Sequence, residues 1–440
     1  MKRTLCAVAL GALIAALGAP SSLGAEDGAR DVIIQAEGST DALVTHIRSI
    51  GGSVKFQYRN VPAVAASVPA GELANVGAFP GVTKVERDRL FYLADPTAGD
   101  LDKPLPASHA VEDMTGVRIE SIEPASRAVQ AAPEGYANVL YTGAPLAWDD
   151  TDYGAGSVVA IVDTGTVPNT CIGHAVIGAP GYPDGYNATT DGIAATDPAN
   201  HWHGTHVGGV IASDCALDFS AVPTHPIFLA QQPYLGWPVD FVPIVGQAPG
   251  AQLYPVKVFA ASGAGSPTSV ILDGLDHILT LKTTGVLDVD VVNMSLGGPT
   301  GWDGRDAYDR FIGELQKAGM LVVTSAGNEG PIPNSVGSPA TSFSALSVAA
   351  LDYAPSSRTF YEYLGLAIWP GAAGQGLVMR PTDETRVVNF SSRGPLSDGR
   401  FGPEMAALGH WNFQEGPVGE LRWAGGTSFA SPTVAGAAAL

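Results

Sequence analysis

Hydrophobic positions follow two patterns along this chain of 440 residues. Between residues 31 and 93, strand-like pieces ("DVIIQAE", "SVKFQYRNVPAVAASVPA", "VTKVERDRLFYL") alternate with helix-like ones ("STDALVTHIRSIGG", "GELANVGAFPG"). The succession predicts a small α+β module over 26–93. From 94 to 143 Pro, Ala, Ser, Asp and Glu dominate without sustained periodicity, the composition of a linker. Residues 144–440 read differently: "SVVAIVD", "AQLYPVKVF", "DVDVVNMSL", "MLVVTSAGN" and "ALSVAAL" are apolar runs without period-two alternation. Strands buried on both faces have this pattern. Between the runs, Ile271, Leu275 and Ile278 recur at helical spacing, as do Tyr308, Phe311, Ile312 and Leu315 ahead of Gly319. Strands alternating with helices predict an α/β domain with a mostly parallel sheet covered by helices on both faces. Functional groups then belong at the carboxyl ends of its strands.

The first 25 residues carry Lys2 and Arg3, an apolar run from Leu5 to Leu17 and then small residues, which reads as a secretory signal. That run is shorter than the roughly 20 residues that span a bilayer. The mature chain is therefore expected to be exported, extracellular or periplasmic, with no membrane segment. Cys6 leaves with the signal, so Cys171 and Cys215 remain in an oxidising compartment. A disulfide between them is expected, with two buried thiols as the alternative. Lys and Arg number 23 against 43 Asp and Glu, a net charge of −20 that argues against a nucleic-acid partner. The acid is spread along the chain and 45% of residues are hydrophobic, so it describes a solvated surface and not a disordered tail.

Chemistry concentrates in "HWHGTHVGGV", where His201, His203 and His206 crowd together. A zinc site on a helix wants a neighbouring Glu, as in HExxH, and here Gly204 follows His203 with no Glu beside it. A neutral imidazole instead suits proton abstraction from a hydroxyl, provided that a carboxylate fixes its tautomer. Asp163 closes "VVAIVD", a costly place for a carboxylate that is not hydrogen-bonded, although a turn-capping Asp has the same look. "GGTSFASPTVAG" supplies Ser428 at the start of a small-residue helix, with Pro432 expected in its first turn. An N-cap serine is the plainer role there, but the position also aims the Ser428 N–H toward developing negative charge. The pentad GTSFA lacks the closing Gly of GxSxG, which argues against an α/β-hydrolase esterase. Asn328 in "TSAGNEG" ends a buried run, where it either satisfies loop backbone or donates to an oxyanion.

With "IVDTG", "HGTHVGGVIA", "VNMSLGG", "SAGNEG", "FSSRGP" and "GTSFASPTVAG" in this order, the chain resembles the subtilisin-like serine peptidases of family S8 over roughly 144–440. The order Asp, His, Ser is the one known for subtilisin. The resemblance implies Asp163 as orienter, His203 as general base, Ser428 as nucleophile and Asn328 as oxyanion donor in a secreted serine endopeptidase. It gives His206 a structural role and implies that Ser295, Leu296, Gly297 and Gly298 edge the substrate cleft, with Ala326 and Gly327 on the pocket wall. Pairing with substrate backbone implies broad specificity for proteins or peptides. Residues 26–93 resemble the family's inhibitor propeptide, a ferredoxin-like α+β module, which implies a zymogen inhibited by its own amino-terminal segment. No cofactor is implied for the chemistry.

The pattern also departs from the family. Residues 213–246 replace a loop that binds calcium in many members, residues 353–387 form a second insertion, and Thr433 stands where histidine is frequent. Asp184, Asp191 and Asp197 are candidate calcium ligands without EF-hand spacing, and a solvated loop is the alternative. Ser428 lies near Leu440, so the chain reads as cut within its serine helix, with activity as it stands in doubt. A non-catalytic homologue that binds peptides or a partner through the same cleft is the alternative function.

Overall fold

A computed structural model describes residues 28–93, 108–111, 113–121, 137–235, 240–298, 304–368 and 373–440. The signal with Cys6 lies outside these residues. The chain divides into two compact units, one of residues up to Gln57 with Pro62–Arg87, the other of Tyr58–Val61 with Asp88–Leu440.

The first unit runs β1 (Ala29–Ala36), α1 (Asp41–Ser49), β2 (Ser53–Gln57), β3 (Ala63–Pro69), α2 (Leu73–Gly77) and β4 (Val82–Arg87). Its antiparallel sheet has the order β2-β3-β1-β4. Leu43, Val44 and Ile47 on one face of α1 pack on Ile34, Val64, Ala66 and Val68, the two periodicities meeting in one core. "SVKFQYRNVPAVAASVPA" becomes two strands, because residues 58–61 leave this unit between them. "VTKVERDRLFYL" is likewise divided after Arg87.

In the second unit β8 (Val158–Asp163), β9 (Tyr186–Asn187), β12 (Gln252–Lys257), β14 (Val291–Met294), β16 (Leu321–Ser325) and β17 (Ala345–Asp352) join in parallel. The sheet order is β18-β17-β16-β14-β8-β12-β9, with β18 (Arg386–Val387) antiparallel and β19 (Met405–Leu408) beside β17. Every residue of β8 is buried, as a two-faced apolar strand requires. Helices cover both faces. α3 (His203–Ala212) packs on α8 (Thr427–Ala439), which lies along β14, β16 and β17; α5 (Thr268–Thr284) packs on α6 (Ala307–Lys317). Asp306 caps α6 by accepting from the Tyr308 N–H at 3.1 Å. Among the described residues no helix is long and apolar enough to cross a membrane.

Two pieces of the segment expected as a linker are strands of this unit. β6 (Ser108–Ala110) pairs with β21 (Leu421–Ala424) of a hairpin with β20 (Asn412–Glu415), and β7 (Arg118–Ser121) pairs with β10 (Asp214–Asp218). These strands have three and four residues, too few to register as a period, and backbone pairing with distant partners orders them. The two insertions meet each other. β10, α4 (Pro226–Leu235) and β11 (Phe241–Val245) form the first; α7 (Ala354–Ala367), from the second, packs on α4. Phe360 of α7 stacks on Trp411 at 3.6 Å, which ties this layer to the hairpin ahead of the serine helix. Cys171 and Cys215 form a disulfide that joins the segment after β8 to β10.

Candidate active site

Sheet register brings the site together. The carboxyl ends of β8, β14 and β16 deliver Asp163, Ser295 and Asn328, while α3 and α8 begin beside them with His203 and Ser428. His203 and Asp163 are fully buried, and the imidazole Nδ1 faces the carboxylate oxygens at 2.9 and 3.0 Å. The tautomer with its proton on Nδ1 donates to Asp163, leaving Nε2 as the acceptor. Asp163 also accepts from the Thr164 N–H at 2.7 Å. Thr164 Oγ1 donates to the His201 carbonyl at 2.9 Å and accepts from the Gly204 N–H at 3.0 Å, so one hydroxyl fixes the entry of α3. A Cβ on Gly204 would lie 2.1 Å from the Gly165 carbonyl oxygen and 3.1 Å from Asp163. Only glycine lets α3 approach β8 closely enough for the imidazole to reach the carboxylate.

His206 is buried beneath the site with its ring 4.7 Å from that of Phe429. Burial, with His203 and Arg422 nearby, pushes its pKa well below the ordinary histidine value, so it stays neutral. His201 precedes the helix, and its Nδ1 accepts from the His203 N–H at 3.4 Å.

α8 is seated by polar groups that its apolar neighbours conceal in the sequence. The Asn328 carboxamide oxygen accepts from the Thr427 N–H and hydroxyl, each at 2.9 Å, which turns the amide nitrogen to the opposite side. Pro432 stands in the second turn of the helix and not the first, so the Ser428 carbonyl has no proline N–H to accept from. Ser295 Oγ donates to that carbonyl instead, at 2.7 Å. Asn293 completes the seat: its amide donates to Ser295 Oγ at 3.0 Å and its oxygen accepts from Ser431 at 2.6 Å. Thr427, Asn293 and Ser431 were not foreseen. The signal for Asn293 is a carboxamide inside the otherwise apolar run "VVNM". Ser428 Oγ lies 3.4 Å from the Ser295 carbonyl oxygen, to which it donates, and its N–H belongs to the first turn of α8.

β15 (Leu296–Gly297) is an edge occupied by the chain itself. β5 (Leu90–Leu93) runs antiparallel to it, Leu93 opposite Leu296 and Tyr92 opposite Gly297. On its other side β5 pairs with β13 (Ser266–Pro267). Gly298 bridges to Ser338. Ala326 is buried, and the Gly327 carbonyl accepts from the Ser392 N–H at 2.9 Å, giving "FSSRGP" its contact with this wall. Of the candidate calcium ligands, Asp191 lies 2.7 Å from the Lys257 ammonium and accepts from two backbone N–H groups, while Asp197 accepts from the Ala199 N–H. A carboxylate so committed does not fit a calcium site there. Among the described residues no group of three or more His, Cys, Asp or Glu is placed to hold a metal.

Residues 154–440 match the Subtilase family. Pyrolysin from Pyrococcus furiosus is 32% identical over 258 residues, which are 54% of this chain and 17% of pyrolysin. Subtilisin Savinase from Lederbergia lenta is 31% identical over 314 residues, 71% of this chain and 84% of Savinase. Subtilisin E from Bacillus subtilis is 27% identical across 89% of this chain and 73% of its own length. In fold, the chain is similar to the crystal structure of fervidolysin from Fervidobacterium pennivorans, with a TM-score of 0.59, 20% identity, and coverage of 93% of this chain and 54% of fervidolysin. The sequence motifs, the α/β sheet and the match over 154–440 together establish that the chain belongs to the subtilase family of subtilisin-like S8 serine peptidases.

Proposed function

We propose that this protein is a secreted serine endopeptidase, made as a zymogen, that hydrolyses protein or peptide substrates through an acyl-enzyme. The observation that carries the proposal is the buried His203 with Nδ1 on the Asp163 carboxylate, next to a helix that begins at Thr427–Ser428. Ser428 Oγ attacks the scissile carbonyl and His203 Nε2 takes its proton. Asp163 does not receive a proton; it holds the tautomer and stabilises the imidazolium. The Asn328 amide, oriented by Thr427, and the Ser428 N–H donate to the oxyanion. His203 then gives its proton to the leaving amine, and a water molecule repeats the sequence to release the acyl group.

The zymogen reading is supported by β5, which lies between two edges as a middle strand would, and by Asp88, whose carboxylate accepts from the Ser269 N–H at 2.9 Å and from its hydroxyl. A strand paired on both sides blocks the edge that an extended substrate would use. Because β5 occupies the edge that a substrate would use, whereas β6 and β7 pair with β21 and β10 away from it, maturation is expected to cut between Leu93 and Ser108. Intact mass of the secreted protein tests this, and a terminus in 122–136 would contradict it.

Peptide hydrolysis by the matured protein tests the catalytic assignment. Asp163→Asn should lower kcat by about 10⁴-fold. Asn328→Ala should lower it by about 10²–10³-fold with little change in KM, the effect known for the corresponding change in subtilisin itself. Wild-type turnover in either variant would remove that residue from the mechanism.

A further inference from the structure

The residues between β9 and α3 carry no regular structure, yet they lead directly into His203. What holds them is a cation. Lys257, the last residue of β12, is the Cα partner of Asp163 in the parallel register, and its side chain is fully buried. Its ammonium meets Asp191 Oδ2 at 2.7 Å, Asn200 Oδ1 at 2.7 Å and the Ile193 carbonyl oxygen at 3.1 Å. Three donors thus meet three oxygens, and all three belong to one loop. The loop is closed around them by its own bonds: Asn187 Nδ2 donates to the Ile193 carbonyl at 2.7 Å and Asn200 Nδ2 to the Ala194 carbonyl at 2.9 Å. Partial burial works to raise the Asp191 pKa, but Lys257 and the Ile193 and Ala261 amides outweigh it and hold the carboxyl below the usual range.

A carboxylate, a carboxamide oxygen and a main-chain carbonyl converging on one point are the donor set of a hard-cation site. Here the chain supplies its own cation on a tether. The cage also touches the segment that leaves β8 after Asp163, since the Thr166 N–H donates to the Ala195 carbonyl at 2.9 Å. Gly165 has φ of +104°, and a Cβ there would lie 2.4 Å from the Ala195 carbonyl oxygen and 2.6 Å from Asn200 Nδ2. Asn200 adjoins His201, whose carbonyl accepts from Thr164. A continuous path therefore runs from the ammonium through Asn200 and Thr164 to His203 and Asp163.

We propose that residues 187–201 form a cation cage filled by the Lys257 ammonium, and that this internal cation is a positioning element for the His203 base. The inference rests on the reading of His203 as general base. It goes beyond that reading in giving a role to a lysine that touches no reacting atom.

The test uses the full chain, matured, with kcat and KM measured separately and the melting temperature recorded. Lys257→Met, which keeps the volume and removes the charge, should stay folded and lose about 100-fold in kcat with KM changed less than about threefold, as a displaced base does. Lys257→Ala should lose as much, and n-propylammonium, the excised part of the side chain, should restore about 10-fold of kcat and raise the melting temperature. n-Propanol should do neither. Wild-type kcat in folded Lys257→Met, or equal recovery with n-propanol, would overturn the proposal. Should both lysine variants fail to fold, Asn200→Ala leaves the Lys257–Asp191 pair in place and must still lower kcat; a folded Asn200→Ala with wild-type kcat would overturn it. If the wild-type protein itself cleaves no peptide, the base reading fails separately, and melting of Lys257→Ala with n-propylammonium against n-propanol still decides the cage.

Discussion

Lys257 and Arg380 are both fully buried cations, and each is paired with one aspartate, yet they are held in different ways. The Lys257 ammonium is a point charge ringed by oxygens of a single loop that ends at His203, the proposed base. The Arg380 guanidinium spreads its planar fork. Nε donates to Asp352 at 2.9 Å, Nη1 to the Thr382 carbonyl at 2.7 Å and hydroxyl at 2.6 Å, and Nη2 to the Glu384 carbonyl. Asp352 also accepts from Arg386 Nε at 3.0 Å and from the Ser357 hydroxyl, with His410 Nδ1 at 3.4 Å. The fork suits a segment that must be gathered from several points, here the insertion 353–387, whereas the ammonium suits a compact cage. Equal burial implies comparable cost when either charge is removed, but only the lysine's acceptors continue to His203, the proposed base. Loss of Lys257 should therefore reach the rate, and loss of Arg380 only the stability.

The largest stability effect expected is at the insertion. Arg380→Met leaves Asp352 buried without its deepest partner and should cost about 3–5 kcal/mol, read from urea unfolding. Its kcat per folded molecule should stay within about twofold of wild type. A kcat loss as deep as that of Lys257→Met would break the comparison. Next in size is the disulfide, which closes a separation of 44 residues. Replacing Cys171 and Cys215 by serine should cost about 2–4 kcal/mol. The bridge braces the segments around Asp163 and α3, so its loss should couple with Lys257→Met by more than about 0.5 kcal/mol and add simply to Arg380→Met.

Acid should act on both clusters. Burial tends to raise the pKa of Asp352, but His410, Ser357 and Arg380 prevail and hold it below its ordinary value of 3.8, as Lys257 and its neighbours do for Asp191. A folded pKa below the unfolded one gives stability that is present above the unfolded value and lost as pH falls through the folded one. Stability should therefore decline on acidification below pH ~4, and Asp352→Asn should flatten that decline by about one proton. An unchanged slope in this variant would mean that Asp352 is not held as described. The smallest effect serves as the control: Lys317 pairs with Glu314 at 2.8 Å on the exposed face of α6, and Lys317→Met should change stability by no more than ~0.5 kcal/mol.

How much of this was legible depended on whether a feature is written locally. In the large sheet β8, β12, β14, β16 and β17 are legible from their apolar runs, because burial on both faces leaves no polar period to confuse them, whereas the short β9, β18 and the strand β19 are not. Asp163, His203, Asn328 and Ser428 stand out as site candidates because each sits at the end of such a run or the start of a helix, where a polar residue needs a reason. β6, β7 and the hairpin β20–β21 were not, since their order comes from partners far away in sequence. Lys257 was hidden in the same way. Nothing inside "YPVKVF" names its partners, and only the fold brings Asp191, Ile193 and Asn200 around it. Pro432 was placed one turn too early because the compensating donor, Ser295, lies on another element.

The central claim is that Ser428 is a nucleophile activated by His203. Labelling of the secreted, matured protein with a fluorophosphonate, followed by peptide mapping by mass spectrometry, tests it most directly. The account predicts a single adduct on Ser428, absent from Ser428→Ala and formed at least about 10³-fold more slowly in His203→Ala. A folded, matured protein that takes up no label, or takes it up equally fast without His203, would contradict it.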